Sequence, residues 1–245
     1  MAICLLVRHG RTEANASGVL AGWTPGLALD ATGREQAAAV ASRLSGTGVV
    51  AVVTSPLHRC RETAEVLVDG IPADARPPVR TDERLAEARY GAWTGRRLED
   101  LAREDLWRQV QDRPSTVTFP PHAEHEHESM TGMQERAVAG VQEWDARVEA
   151  EHGAGAVWVA VSHGDVIKAV LAHALATPLD EFQRIVVDPA SVSIVHRTPH
   201  RPFVLRTNDT GTNPVDLSAL RTALAKQGAS GDAAVGGGAG GDVGL

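Results

Sequence analysis

The chain has 245 residues, 43% of them hydrophobic, and a formal net charge of −7. That length and apolar content suffice for one sizeable core, and α/β domains of this size usually form a single unit. The acidic balance and the lack of a basic run speak against nucleic acid as the main ligand, and no apolar stretch is long enough to span a bilayer. The first residues lack the charged start and cleavage site of a signal peptide. Cys4 and Cys60 are too few for a disulfide framework and fall in predicted buried elements, so a reducing cytoplasm is the expected setting.

In chain order, Ile3–Val7 is a short continuous apolar run, as suits a central strand buried on both faces. Arg8-His9-Gly10 leaves the end of that strand, where open α/β sheets build their ligand crevices. Arg offers a planar fork matched to phosphate oxygens, and His is the side chain most easily kept neutral and nucleophilic near neutral pH. Gly10 lets another group come close to the backbone. A helix opens near Asp30, with Thr32 and Glu35 spaced as a capping box and Gly46 as its stop signal.

A second apolar run, Val49–Thr54, leads into Ser55-Pro56-Leu57-His58-Arg59, read as a helix with Ser55 at the N-cap and Pro56 at the first helical position. Cys60 is expected to be a buried small hydrophobe rather than a reactive thiol. Glu87 stands among apolar neighbours in a glycine-punctuated segment that reaches Gly95, a plausible place for an acid. Pro120-Pro121 opens a segment with three His and three Glu between His122 and Glu128. Its strict alternation is not a recognised ligand spacing, so it reads as a solvated loop with at most weak zinc or nickel binding.

Met130–Glu151 follows as a long helix whose Met133, Ala137, Val141 and Trp144 share the core-facing stripe. Val157–Val161 is a third buried strand, and Ser162-His163-Gly164-Asp165 joins it to a helix over Val166–Leu175. Ser191–His196 and Phe203–Arg206 are the last predicted strands, with Asp188-Pro189-Ala190-Ser191 turning into the first of them. Residues 228–245 are Gly- and Ala-rich without apolar periodicity and are expected to form a disordered tail. Strands alternating with helices predict a three-layer α/β/α fold, its central sheet mostly parallel with helices on both faces.

Arg8-His9-Gly10 with Asn15, Ser55-Pro56-Leu57 with Arg59 and Thr63-Ala64, Glu87 ahead of Tyr90-Gly91, and Ser162-His163-Gly164 together resemble the histidine phosphatase superfamily, with its phosphoglycerate mutase-like fold. Within it, the sequence is most similar to the α-ribazole phosphatase branch and to actinobacterial proteins that carry a phosphomutase label. The resemblance implies a domain over residues 1–210 with a small cap insertion at about 88–128. It implies that His9 is the nucleophile that takes up the phosphoryl group, and that Glu87 protonates the leaving oxygen and then deprotonates water. Arg8, Arg59 and His163 would surround the phosphate, with Asn15 and Gly164 in the same pocket and Gly22 and Tyr90 toward the substrate. Neighbouring cations should depress the His9 pKa, while a phosphate dianion should keep His163 protonated. No metal or other cofactor is implied, because two Arg forks and a His can carry the charge of phosphoryl transfer.

Three functions compete: a phosphatase that passes the phosphoryl group to water, a cofactor-dependent phosphomutase of the phosphoglycerate type, and a non-enzymatic phosphate-binding module. The full set of His9, Arg8, Arg59, Glu87 and His163 disfavours the last. In the mutases a Tyr, a Lys and an Arg pair grip the rest of the substrate. Here Tyr90 keeps its offset, but Leu98 stands where the Lys belongs, Pro114-Ser115 roughly where the Arg pair belongs, and Ala21 replaces a substrate-binding Ser. Hydrolysis of a small phosphorylated metabolite is therefore expected, with Arg96, Arg97 and Arg113 able to supply part of the missing charge. Oligomeric state is open, a homodimer being one option.

Overall fold

The computed structural model describes residues 2–217; the tail expected at 228–245 lies outside the described residues. In chain order the elements are β1 (Ile3–Arg8), α1 (Glu13–Ala16), α2 (Ala31–Leu44), β2 (Val49–Thr54), α3 (His58–Asp69), β3 (Val79–Thr81), α4 (Leu98–Leu101), α5 (Asp105–Asp112), α6 (Met130–His152), β4 (Val157–Ser162), α7 (Gly164–Ala174), β5 (Val192–Arg197) and β6 (Pro202–Asp209). One six-stranded sheet has the order β3-β2-β4-β1-β5-β6. The first four are mutually parallel; β5 runs antiparallel to β1, and β6 to β5.

The apolar runs become central strands because both of their faces are covered. Ile3, Leu5 and Val7 point to the layer of α2 and α3, where Val40, Leu44, Cys60, Ala64 and Leu67 meet them. Cys4 and Leu6 point to the opposite layer, with Met133, Ala137, Val141 and Trp144 of α6 and Ile167 and Leu171 of α7. This alternation is the period-2 geometry of a strand placed between two helical layers, each large side chain removed from water contributing about 1.5–3 kcal/mol. The expected three-layer architecture and the core stripe of α6 are thus observed.

Two helix starts differ from expectation. The N-cap of α2 is Asp30, whose carboxylate accepts from the Gly33 amide at 2.7 Å, rather than the Thr32–Glu35 box. Thr32 instead accepts a hydrogen bond from Arg11 Nη2 at 2.8 Å, so its hydroxyl is used across the loop. Helix α3 begins at His58 with Leu57 at its N-cap, not at Pro56. Ser55 is drawn one turn earlier, where its hydroxyl accepts from the Leu57 amide at 3.3 Å and faces the pocket described below. Strand β3 escapes sequence reading because all three of its residues are exposed.

The parallel topology brings the carboxyl ends of β1, β2 and β4 to one edge, with Arg8 beside Ser162 and Thr54 beside Val161. The loop after β1 is then fixed from several sides. The His9 amide donates to Ser162 O at 3.0 Å, the Ala190 amide to the carbonyls of Arg8 and His9 at 3.1 Å each, and the Gly10 amide to Thr63 Oγ1 at 3.2 Å. Asp188-Pro189-Ala190-Ser191 forms the expected turn, closed by the Ser191 amide on Asp188 O. Gly10 and Gly33 face each other backbone to backbone: a Cβ on Gly10 would run into Gly33 O, and one on Gly33 into Arg11 O.

Gly33→Ala should therefore push the β1 loop away from α2 and destabilise the protein by about 2–3 kcal/mol, the usual cost of overpacking a closed contact. Urea unfolding checks this, and an unchanged midpoint would show that the loop is not clamped there.

Candidate active site

Three strand ends deliver the central residues. His9 follows β1, Arg59 lies in the first turn of α3 after β2, and His163 follows β4 at the N-cap of α7. They are 3%, 1% and 0% exposed, so their polar atoms answer mainly to one another. Arg59 Nε donates to His9 Nε2 at 3.2 Å, and Arg59 Nη2 reaches Gly22 O at 3.0 Å and His163 Nδ1 at 3.1 Å. An arginine has no lone pair to give, so His9 Nε2 and His163 Nδ1 are the acceptors in these contacts. His9 Nδ1 then carries its proton toward Gly10 O at 2.7 Å, and His163 Nε2 carries its own toward Ser55 Oγ at 2.8 Å. The two imidazoles are neutral in opposite tautomers, and the unprotonated nitrogen of His9 is Nε2.

Electrostatics agree for His9, whose pKa is pushed well below its usual 6.5 by burial first and by Arg59 and Arg8 next. The protonated form expected of His163 is one that a bound phosphate dianion would hold. Burial, then Arg59, His9 and Arg8, push the His163 pKa well below 6.5 as well, so this chain's own groups favour the neutral ring. Protonation there depends on charge that a phosphate dianion would have to bring.

Glu87 closes the group. Its Oε2 is 3.7 Å from His163 Nδ1 and 3.9 Å from Arg59 Nη2, while Oε1 accepts from the Ala88 amide at 3.0 Å. Its pKa is raised to about 7, by burial first and by the charge of Asp165 second, against the pull of Arg59, the Ala88 amide and Arg8. The backbone that carries Glu87 is clasped by Arg136, whose guanidinium donates to Arg84 O, Ala86 O and Glu87 O and pairs with Glu128 at 2.7 Å. Trp23 Nε1 also donates to Glu87 O, at 2.8 Å.

The remaining candidates take different places. Arg8 lies over Gly164, where a Cβ would be 3.5 Å from its Nε, and its Nη1 donates to Val187 O at 2.7 Å. Arg8 Nε is buried without a hydrogen-bond partner among the described residues. Gly22 has φ +50° and touches the rim formed by Thr94 and Tyr90, and its carbonyl holds Arg59. Tyr90 is buried, edge-on to Phe119, and its hydroxyl donates to Asp165 Oδ2 at 2.8 Å. Asn15 uses its side-chain oxygen locally. Its side-chain oxygen accepts from the Thr12 amide and hydroxyl at 3.1 and 3.0 Å, closing a capping box on α1, and it makes no hydrogen bond with Arg8, His9, Arg59 or His163 among the described residues.

Sequence reasoning missed Ser55 as the partner of His163, Arg136 as the clasp on Glu87, and Asp165 as the partner of Tyr90. Only Ser55 had a local signal, since it sits at a strand end beside Arg59. Cys60 is the buried hydrophobe expected: its Sγ lies 3.4 Å from His163 Nε2, and burial pushes its thiol up to about 12. In the His/Glu-rich segment the rings of His122 and His125 stack at 4.9 Å. No three His, Cys, Asp or Glu side chains gather as a metal site among the described residues, nor is any helix there long and apolar enough to cross a membrane.

This convergence of strand ends on two histidines, an arginine and a carboxyl group is accompanied by a match over residues 4–210 to the histidine phosphatase superfamily, branch 1. The chain belongs to that superfamily, whose members are phosphatases or mutases. It is 26% identical over 195 residues to the 2,3-bisphosphoglycerate-dependent phosphoglycerate mutase of Thermoplasma acidophilum, covering 80% of this chain and 87% of that one. The structure of a mycobacterial glucosyl-3-phosphoglycerate phosphatase superposes with a TM-score of 0.70 at 26% identity, covering 84% of this chain and 98% of that one. The α-ribazole phosphatase of Shigella flexneri shares the fold, with a TM-score of 0.71 at 23% identity over 87% of this chain and 99% of that one.

The tautomers are directly measurable. Nitrogen NMR of selectively labelled protein should show His9 protonated on Nδ1 and His163 on Nε2. Both should titrate well below the usual 6.5 of a free imidazole. A His9 ring that becomes doubly protonated near pH 6.5 would contradict the geometry.

Proposed function

We propose that the protein is a phosphomonoester hydrolase that works through a phosphohistidine on His9. The observation that carries this reading is the unprotonated Nε2 of His9, held beside Arg59 in a pocket that also contains a carboxyl group able to keep its proton near neutral pH. Arg8, Arg59 and His163 would seat the phosphoryl oxygens. His9 Nε2 would attack phosphorus in line as the bond to the leaving oxygen breaks, and Glu87 would give that oxygen its proton. The Glu87 carboxylate would then take a proton from water as the water oxygen displaces Nε2, releasing inorganic phosphate and restoring both groups. Positioning and charge neutralisation supply most of the acceleration in such a reaction.

The alternative is a phosphoglycerate-type mutase, the activity named for the Thermoplasma relative. Hydrolysis is favoured by the state of the cations that would have to grip a second anionic group. Arg96 is paired with Glu104 and Arg97 with Glu99, each at 2.6 Å, and Leu98 between the latter pair projects to solvent. A small phosphorylated metabolite in the cytoplasm, with no metal or other cofactor required, completes the reading; a homodimer is compatible with it.

A phosphate-release screen over sugar phosphates, phosphoglycerates, nucleotides and ribazole phosphate, run beside a mutase assay on 3-phosphoglycerate, tests it. His9→Ala should lower turnover by more than about 10³-fold while the fold is retained, and sustained turnover would remove the mechanism.

Glu87→Gln should cost about 10²–10⁴-fold on alkyl phosphates and much less on aryl phosphates, whose leaving oxygen needs no proton. Because the acid form of Glu87 is the one required, kcat/KM should fall as pH rises through about 7, and the variant should lose that alkaline limb.

A further inference from the structure

We infer that Asp165 is a specificity-determining residue, whose carboxylate on the leaving-group side of the pocket favours phosphomonoesters with a hydroxyl-bearing leaving group and turns away those with a carboxylate or second phosphate. The inference rests on the hydrolase reading above and assigns its substrate class.

Position comes first. Asp165 lies two residues beyond His163 in the first turn of α7, and Tyr90, three residues beyond Glu87, donates its hydroxyl to Asp165 Oδ2 at 2.8 Å. The tyrosine thus ties Asp165 to the segment that carries Glu87, while Arg8, lying over the neighbouring Gly164, also feels its charge. Burial apart, Asp165 is the group whose charge Glu87 feels most. A leaving group whose oxygen takes its proton from Glu87 would lie within reach of this carboxylate's charge.

Its unused capacity comes second. Oδ2 is taken by Tyr90, but Oδ1 accepts no hydrogen bond among the described residues, and the side chain remains 26% exposed. Lys168 Nζ is the near cation, at 3.7 Å from Oδ1, beyond hydrogen-bond reach. That ammonium pairs loosely with the carboxylate and also donates to Gln183 Oε1 at 3.1 Å and lies over the Phe182 ring. Arg89, on the same rim, pairs with Glu126 at 2.7 Å and stacks on Trp23. The wall therefore offers an ionised acceptor to a hydroxyl or ammonium, and repulsion to an anion.

Glycerol 3-phosphate and 3-phosphoglycerate test this, because they share a phosphate and a primary alkoxide leaving group and differ by a hydroxymethyl against a carboxylate. The wild type should prefer glycerol 3-phosphate in kcat/KM by about tenfold or more, the difference lying mainly in KM. Asp165→Asn keeps an acceptor for Tyr90 and removes the charge, so the preference should shrink by about tenfold. Asp165→Ser should shrink it likewise, and Asp165→Glu should keep it. Taking the ratio of two substrates cancels any change in Glu87 that both would share. Equal or better use of 3-phosphoglycerate by the wild type, or a ratio unmoved in both neutral variants, would overturn the inference while p-nitrophenyl phosphate hydrolysis leaves the hydrolase reading standing. Loss of p-nitrophenyl phosphate hydrolysis in the wild type would instead bring down both.

Discussion

Arg59 carries a guanidinium that is 1% exposed, yet the nearest carboxylate oxygen, on Glu87, is 3.9 Å away. Burying a cation is costly unless its donors are satisfied and its charge is answered. The chain gives Nε and Nη2 neutral acceptors: the imidazole nitrogens of His9 and His163 and the carbonyl of Gly22. It leaves the charge largely uncompensated, and Arg8 beside it has a buried Nε with no partner among the described residues. A pocket of this kind favours an anion over any neutral occupant. The sheet topology, the clamped loop after β1 and the late start of α3 all serve to hold that guanidinium between three strand ends.

The sequence could show this much because each central residue stands at the end of an apolar run. β1, β2 and β4 are buried on both faces, so they read as continuous Val, Ile and Leu, and the polar residues that follow them are marked by contrast. Helix α6 was legible for a similar reason, its core residues recurring at spacings of three and four. Caps were less legible, because Asp30 and Thr32 are both good N-cap residues and the loop decides between them: Arg11 holds both Thr32 Oγ1 and Asp30 Oδ2, and Asp30 Oδ1 remains for the Gly33 amide. Asn15 shows the same local use, its side-chain oxygen closing a capping box on α1.

Contacts between distant segments left no trace in the sequence. Tyr90 and Asp165 are 75 positions apart, and Arg136 reaches back about 50 positions to the Glu87 backbone. Neither pair has a spacing rule, since the fold alone sets them side by side. Their effects are electrostatic and positional rather than chemical. Arg136 satisfies three carbonyls of an irregular segment, and Asp165 adds a negative charge that both Glu87 and Arg8 feel.

One physical cause then accounts for both reactive groups. Burial disfavours whichever form of a group is charged, so it lowers a histidine and raises a carboxylic acid at the same time. For His9 the nearby arginines act in the same direction as burial, and the ring stays neutral with Nε2 unprotonated. For Glu87 they act against it, and Asp165 restores much of what they remove, so the acid stays near 7 instead of ionising fully. A neutral histidine and a protonated glutamate can thus share a buried pocket at the same pH. Neither needs a separate device, provided that the arginines crowd the histidine and the aspartate crowds the glutamate.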